Sequence, residues 1–233
     1  PTNPIGWEQM ISTVFPDSLD RTIEYCNTAI SYNPDQPQFY FYLGASLYMQ
    51  EKHKESLAAL TKGVTYVDDR NNGLLSEFYA QIGDLYYHTQ RQDSAFASYE
   101  KSLKYNPSNL GVLNNYSYFL SLEKKDLDKA ERMSSLTVKS EPTNPTYLDT
   151  YGWVLFEQGA YIMAKIYIEN AVKYTEEKKE KVNADVLEHY GDVLFKTGEE
   201  GKALEYWIKA KETGESKSKT LDKKIETKTY ISE

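Results

Sequence analysis

Apolar residues recur every three or four positions along most of the chain, which predicts amphipathic helices rather than strands. Within this pattern, a large apolar residue is followed directly by a small one at five places. The spacings between these small residues are 39, 34, 35 and 39 positions. Self-similarity at such a period indicates a repeat architecture. The five pairs are Leu43-Gly44, Ile82-Gly83, Tyr116-Ser117, Tyr151-Gly152 and Tyr190-Gly191.

Two further small residues follow each pair, the first after 12 or 13 positions and the second after seven more. Turn-forming residues such as Gln158-Gly159 and Thr197-Gly198 lie between the first and second small residues. Proline closes several repeats. Each repeat is therefore predicted to be a helix, a turn and a second helix. The two sets of small residues are Ser56, Ala95, Ala130, Ala164 and Ala203, then Gly63, Ser102, Thr137, Ala171 and Ala210.

This pattern resembles the 34-residue tetratricopeptide repeat along nearly the whole chain. Residues 76–109 match it best, with Tyr79, Ile82, Gly83, Tyr86, Ala95, Tyr99, Ser102 and Pro107 at the expected offsets. The resemblance implies an all-α fold, a right-handed α-solenoid of about six helix–turn–helix repeats with a C-terminal capping helix. The repeats are expected at about 4–36, 37–75, 76–109, 110–144, 145–183 and 184–213, and the capping helix or tail at 214–233.

The small residues are expected where the first helix of a repeat (helix A) crosses the second (helix B). Gly or Ala at a crossing lets the two helix axes approach to about 8–10 Å. A leucine at Gly83 or Ala95 is expected to overpack the crossing and cost about 1–3 kcal/mol. Cys26 is predicted to be buried on the B helix of the first repeat.

Two insertions and the two ends depart from the period. The polar stretch 68–73 is predicted to be a loop, and the charge run 176–183 a helix that continues into solvent, with Asn183 as the cap of the next helix. Leu221 and Ile225 share one helical face, which Tyr230 and Ile231 extend, and this face is predicted to cover the last repeat. Pro1 is expected to be the tail of an earlier repeat, because residues 1–4 repeat the sequence of 142–145.

Composition excludes several function classes. The net charge of −8 argues against a nucleic-acid or anionic-membrane surface. A single cysteine excludes an internal disulfide framework and a cysteine-based zinc cluster. No run of 18 apolar residues is present, so no membrane insertion by this chain is expected.

The family resemblance implies a concave groove, lined by the A helices, that binds peptides or protein segments. Its groove positions are the fifth, sixth and ninth of each repeat. Here those eighteen positions contain five carboxylates and no Lys or Arg, although composition predicts about two cations. An adaptor that clamps the C-terminal carboxylate of a chaperone is therefore disfavoured. The candidate peptide-binding residues are Tyr42, Gln81, Asp84, Asn114, Asn115, Tyr118, Asp149, Trp153, Glu188, His189 and Asp192.

We expect this groove to prefer neutral or basic extended segments. Its amide side chains can hydrogen-bond an extended backbone, its aromatic residues can anchor side chains, and its carboxylates can attract Lys or Arg. In the alternative interpretation, the aromatic residues pack between neighbouring A helices and the carboxylates face water.

No catalytic motif is recognisable. The G-x-S-x-G, H-E-x-x-H and dinucleotide-binding patterns are absent from the sequence. His53 is predicted to lie in a solvated turn, and His88 and His189 on A helices. His189 and Asp192 form an i,i+3 pair that is interpreted as an ordinary surface pair, since no third metal ligand is evident. We therefore expect no metal, no cofactor and no enzymatic activity.

A narrower resemblance covers the run from Leu113 to Ala210, which is similar to the C-terminal repeats of bacterial envelope lipoproteins. Residues 113–118, 128–130, 147–155 and 189–194 carry it. This resemblance implies a periplasmic or outer-membrane-anchored scaffold, and some members of that group are adaptors that present substrates to a periplasmic protease. Without it, the expected location is cytoplasmic.

The sequence favours a non-catalytic protein-interaction scaffold that binds a peptide or protein segment in its groove. The alternative is a self-associating structural module, in which the groove is filled by a second copy or by the chain's own tail. We expect a monomer or a weak homo-oligomer.

Overall fold

A computed structural model describes residues 2–214, 216 and 218–232. The described part contains thirteen helices and no strand. Pro1, which we expected to end an earlier repeat, lies outside it, as do Glu215, Lys217 and Glu233 of the expected tail. The helices are α1 (Pro4–Val14), α2 (Leu19–Tyr32), α3 (Pro37–Met49), α4 (His53–Val64), α5 (Asn72–His88), α6 (Gln92–Tyr105), α7 (Leu110–Leu122), α8 (Leu127–Ser140), α9 (Pro145–Glu157), α10 (Tyr161–Glu177), α11 (Ala184–Lys196), α12 (Glu200–Glu212) and α13 (Leu221–Thr227).

The helices alternate as predicted, with odd-numbered A helices up to α11 and even-numbered B helices up to α12. The fold is an all-α helical repeat solenoid. Several A helices begin at proline, whose fixed φ suits the first helical position. Asparagine side chains accept hydrogen bonds from the first free amides of α1, α5, α9 and α11.

In the turns after α3, α5, α7, α9 and α11, the second residue after the helix is left-handed, and the turn after α7 also contains the left-handed Asp126. Glycine occupies this place in two turns and a larger residue in three, because the flanking helices fix the chain path whatever the side chain. A left-handed residue with a Cβ costs about 1–2 kcal/mol. The residues, with their φ angles, are Glu51 (59°), Gln90 (60°), Lys124 (51°), Gly159 (81°) and Gly198 (87°).

The crossings within repeats are as close as the small residues predict. A Cβ placed at Gly83 would lie 2.5 Å from the ring of Tyr99, and one at Gly191 would lie 2.5 Å from the ring of Trp207. Gly44 and Gly152 face Leu60 and Ile168 at the same distance. The alanines opposite, Ala95, Ala130, Ala164 and Ala203, are fully buried.

The two insertions differ from the prediction. The loop before α5 ends at Asn71, so the prediction that Asn72 and Gly73 belong to this loop was wrong. The Asn71 side chain accepts the amide of Leu74 and starts the helix earlier. The prediction that helix α10 continues into solvent was also wrong beyond Glu177. Residues 178–181 are all charged and exposed, so no packing offsets the loss of chain entropy there. Asn183 caps α11, as predicted.

The chain divides into two units, Pro1–Val112 and Leu113–Glu233, here called the N-terminal and the C-terminal unit. The N-terminal unit contains one cluster of buried side chains that includes Phe39 and Cys26 and a second that includes Leu60 and Phe78. The C-terminal core is built around Trp153, Ile168 and Trp207. No helix in the described ranges combines the length and apolarity that crossing a bilayer requires.

The C-terminal helix partly matches its prediction. Leu221 is buried in the C-terminal core, and Ile225 and Tyr230 pack against it, so α13 does cover the last repeat. The helix ends at Thr227 and the left-handed Lys228, so Tyr230 and Ile231 follow it as non-helical chain.

Candidate binding face of the C-terminal unit

Helices α9 and α11, with the part of α7 after Leu113, bring together most of the predicted groove residues on the A-helix face of the C-terminal unit. The members of this face are Asn114, Asn115, Tyr118, Asp149, Trp153, Glu188, His189 and Asp192. Helix α11 is amphipathic, and its buried stripe includes three of these polar side chains. A buried polar side chain needs a partner, and each of the three has one.

His189 is held between a carboxylate and an indole. Its Nδ1 lies 3.0 Å from Oδ1 and 3.1 Å from Oδ2 of Asp149, and both residues are buried. The Trp153 ring stacks on the imidazole with centroids 4.0 Å apart, and on Phe156 at 4.7 Å. The ring plane of His189 is therefore fixed from two directions.

The charge state of His189 follows from the same contacts. Burial alone would lower its pKa, but the Asp149 carboxylate raises it through charge and hydrogen bonding, and Asp192 adds to this. The net result is a pKa above the ordinary value of 6.5. The pairing with Asp149 thus favours the imidazolium form in a buried position.

Two neighbouring carboxylates on α11 bind a lysine from outside the repeats. Lys224 Nζ of α13 lies 2.8 Å from Glu188 Oε1 and 2.7 Å from Asp192 Oδ2. All three side chains are at most 7 % exposed. Trp207 Nε1 donates to the other oxygen of Asp192 at 2.9 Å, and Ser218 Oγ donates to Glu188 at 2.7 Å. The ammonium is therefore buried and paired with two carboxylates.

Burial raises the pKa of Asp192 to about 6, with Lys224 lowering it and Glu188 raising it. The interpretation of His189 and Asp192 as an exposed pair was wrong. Both are buried, and their hydrogen bonds go to different partners, Asp149 for the first and Lys224 and Trp207 for the second.

Lys224 itself was missed by the sequence analysis. It lies between Leu221 and Ile225, at the edge of the apolar face of α13. The groove positions of the A helices contain carboxylates and no cation. A lysine at the edge of the apolar face of α13 was therefore the available sign of a pairing with them.

A cavity of about 280 Å³ lies beside this ion pair. Helix α7 contributes Tyr118 to its wall, α9 contributes Trp153, and the tail contributes Tyr230. The remaining lining residues are Leu122, Lys124, Glu157, Asp185, Glu188, His189, Asp192, Ser218 and Ile231. Burial raises the pKa of the Glu157 carboxyl, an effect that Lys124 at 3.6 Å partly offsets. The cavity is thus bounded by the A helices on one side and by the chain's own C-terminal segment on the other.

A second, more open cavity of about 510 Å³ extends along the same face and is lined by Asn114, Asn115, Tyr118 and Asp149 among others. The Nδ2 group of Asn114 donates to Asn115 at 3.3 Å, and its Oδ1 atom is buried with no hydrogen-bond partner among the described residues. The amide pair therefore lies beside this cavity.

Two of the three predicted groove residues of the N-terminal unit contact aromatic residues of the same unit. Tyr42 packs edge-on against Phe15, with centroids 5.4 Å apart. Asp84 accepts a 2.6 Å hydrogen bond from the hydroxyl of Tyr99, and burial together with this carboxylate raises the pKa of the phenol. Gln81 is half-buried, and its Oε1 atom is buried without a hydrogen-bond partner in the described part of the chain.

The remaining candidate chemistry is sparse. Within the described ranges, His, Cys, Asp and Glu side chains form no group of three that could hold a metal ion. Burial raises the pKa of the Cys26 thiol to about 12, so it is protonated at neutral pH. His53 was expected in a solvated turn but begins α4, half-buried, with its ring 6.0 Å from that of Tyr48.

Residues 76–109 match the sequence model of the tetratricopeptide repeat, the same residues that the sequence pattern singled out. The chain therefore contains a tetratricopeptide repeat within its helical solenoid. No curated protein matches its sequence.

Solved structures with a similar fold include the APC/C hetero-tetramer Cut9–Hcn1, with a TM-score of 0.80 and 11% identity over 99% of this chain and 43% of that one. PilF of Pseudomonas aeruginosa matches with a TM-score of 0.75 and 14% identity over 97% of both chains. A tetratricopeptide repeat protein of Parabacteroides merdae ATCC 43184 matches with a TM-score of 0.61 and 14% identity over 97% of this chain and 98% of that one. At these identities the likeness is one of fold.

Proposed function

We propose that this protein is a non-catalytic scaffold that binds a neutral or basic extended segment of a partner protein on the A-helix face of its C-terminal unit. Solenoids of stacked repeats present extended surfaces that serve for such binding. The observation that carries the proposal is the enclosure of the Lys224 ammonium by Glu188 and Asp192, at 2.8 and 2.7 Å.

The surroundings of that pair support the same function. The two cavities run along the face from Asn114 and Asn115 to Trp153 and Glu157, so a bound chain would meet amide, aromatic and acidic side chains in turn. Amides pair with an extended backbone, aromatic rings anchor side chains, and carboxylates select cations over anions.

The test is a peptide-binding comparison between two faces of the unit. Tyr118→Ala and Asn115→Ala change the A-helix face, and Ile162→Ala changes a B-helix residue that is 76% exposed. Binding of an unstructured lysine-containing peptide, measured by fluorescence anisotropy, is expected to weaken with the first two variants only. Its Lys→Glu counterpart is expected to bind poorly to every variant. Equal binding by all variants would discard the groove.

One specific observation favours the second candidate, a structural module whose A-helix face is filled by its own tail. The segment from Ser218 to Ser232 contacts α11, α9 and Lys124 in the turn after α7. A permanently docked tail would make the chain a closed module. A tail that exchanges with other segments would make it a scaffold.

The bacterial-envelope location and the role of a protease adaptor are proposals that rest on the sequence resemblance of residues 113–210. Fractionation of cells that express the natural full-length reading frame is the direct test. Recovery in the cytosol alone would contradict the envelope location.

A further inference from the structure

The C-terminal segment, residues 218–232, crosses the A-helix face of the C-terminal unit through four anchors. Ser218 and Lys224 reach the carboxylates of α11. Tyr230 packs edge-on against Phe156 of α9, with centroids 5.6 Å apart. Ser232 accepts a hydrogen bond from Lys124 at 2.9 Å. The segment therefore runs from the last A helix back towards the turn after α7, along the face proposed to bind partners.

The segment has the character proposed for a partner. It contains four lysines and two acids, a net charge of +2, and covers a face with the carboxylates Asp149, Glu157, Glu188 and Asp192. Beyond Thr227 it is non-helical. Charge complementarity of this kind determines which segments a face accepts.

The attachment of the segment is shallow. Of its fifteen residues, Leu221 and Lys224 are buried, and the rest are half-buried or exposed. The side chain of Tyr230 is held from outside by Lys196, whose Nζ lies 4.1 Å from the ring centroid. A segment with so few buried anchors opens locally at a lower free energy than the core that it covers.

We propose that residues 218–232 are an exchangeable internal ligand, and that the partner is a protein segment with a lysine followed six residues later by an aromatic residue. The lysine of the partner would take the place of Lys224 between Glu188 and Asp192, and its aromatic ring would take the place of Tyr230 beside Phe156. This inference rests on the proposed function and adds the occupant's pattern and its regulation. The partner cannot bind while the tail is docked. Its apparent affinity is therefore the intrinsic affinity multiplied by the fraction of molecules in which the face is open.

The test uses the full chain and a labelled synthetic peptide with the sequence of residues 218–232. Tyr230→Ala loosens the tail and leaves Lys224 and both carboxylates in place. Tyr206→Ala is the matched control, because Tyr206 also packs edge-on against an aromatic ring and lies under a lysine. Peptide affinity is expected to rise about tenfold in Tyr230→Ala and to stay unchanged in Tyr206→Ala. A peptide with methionine in place of the lysine equivalent to Lys224 is expected to bind at least about tenfold more weakly.

Hydrogen exchange of the α13 amides supplies the second measurement. On addition of the unlabelled peptide, these amides are expected to lose protection in the wild-type chain. If the peptide binds while the α13 amides stay fully protected, the proposed displacement of the tail is wrong and the proposed function stands. If the α13 amides of the Tyr230→Ala chain are unprotected and the peptide still does not bind, both the displacement of the tail and the proposed function are wrong. A Tyr230→Ala chain whose α13 is as protected as in the wild type would overturn the role of the tail as a ligand that can leave.

Discussion

Each unit contains an aromatic B-helix side chain that packs against a glycine of helix A and hydrogen-bonds the carboxylate at the ninth position of the repeat. We call this arrangement the aromatic clamp. In the N-terminal unit, the buried ring of Tyr99 lies against Gly83, and its hydroxyl donates to Asp84 at 2.6 Å. In the C-terminal unit, the buried ring of Trp207 lies against the equivalent glycine, and its Nε1 donates to Asp192 at 2.9 Å. In each case an aromatic B-helix side chain fills the space that glycine leaves and orients the next carboxylate.

The carboxylate of the C-terminal unit, Asp192, also binds a cation from outside the repeats. The second oxygen of Asp192 binds Lys224, which belongs to a segment that follows the repeats. The repeat architecture thus fixes one oxygen of the carboxylate from within and leaves the other to whatever covers the A-helix face. A change in the tail can therefore alter the partner of Asp192 without any change in the repeat core.

The largest expected effect tests whether the clamp is equivalent in both units. Tyr99→Ala and Trp207→Ala each remove a fully buried aromatic side chain. Each is expected to lower the free energy of unfolding by about 3–5 kcal/mol, measured by urea denaturation. A loss below about 1 kcal/mol in one unit would show that the two clamps are not equivalent.

The second-largest expected effect concerns the ion pair between the tail and α11. Lys224→Met leaves Glu188 and Asp192 without their cation and is expected to cost about 3 kcal/mol, at the lower end for a broken buried ion pair because the tail can detach. Lys223→Met, at the exposed neighbouring position, is expected to change stability by less than about 0.5 kcal/mol. Urea denaturation of both variants makes the comparison. Equal stabilities would contradict the buried pairing.

The third effect concerns the imidazole of His189. Because its pKa in the folded chain is raised, the pairing with Asp149 stabilises the fold fully below the unfolded value of 6.5 and is lost as pH rises through the folded value. Asp149→Asn removes the main group that raises the pKa of His189, so this pKa is expected to fall. Titration of the imidazole protons by NMR measures both values. A pKa of His189 that is the same in both chains would contradict the pairing.

The smallest effect concerns the turns. Gln90 has a φ of 60°, so Gln90→Gly is expected to stabilise the chain by up to about 1 kcal/mol. Ala97→Gly, at an exposed position in the middle of α6, is expected to destabilise it by about 0.5–1 kcal/mol. Thermal unfolding of the two variants should therefore shift in opposite directions, and a shift in the same direction would contradict the turn geometry.

The sequence predicts the helical repeats well because each crossing depends on residues of one repeat. Gly83 and Ala95 leave room at the crossing, and Tyr99 fills the space beside Gly83, all within a single period. The turns are predicted where glycine marks them and less clearly at Glu51 and Gln90, whose left-handed conformation is imposed by the helices on either side.

The candidate site is less predictable because it depends on contacts between distant positions. Asp149 and His189 lie 40 positions apart, and Lys224 lies 36 positions from Glu188. A periodic pattern places Glu188, His189 and Asp192 on one helix, but it does not show which groups face them. His189 is held by Asp149 and Trp153 of the preceding repeat, whereas Glu188 and Asp192 are paired by the tail, which has no repeat pattern to predict its course.

A double-mutant cycle between Lys224→Met and Asp192→Asn tests the central claim most directly. Asn at 192 keeps an oxygen for Trp207 and removes the charge that binds the ammonium. The coupling energy is expected to be about 1–3 kcal/mol, and the control cycle with Lys223→Met is expected to give less than about 0.5 kcal/mol. Equal coupling in the two cycles would show that the acidic A-helix face of the C-terminal unit does not bind the lysine of its own tail.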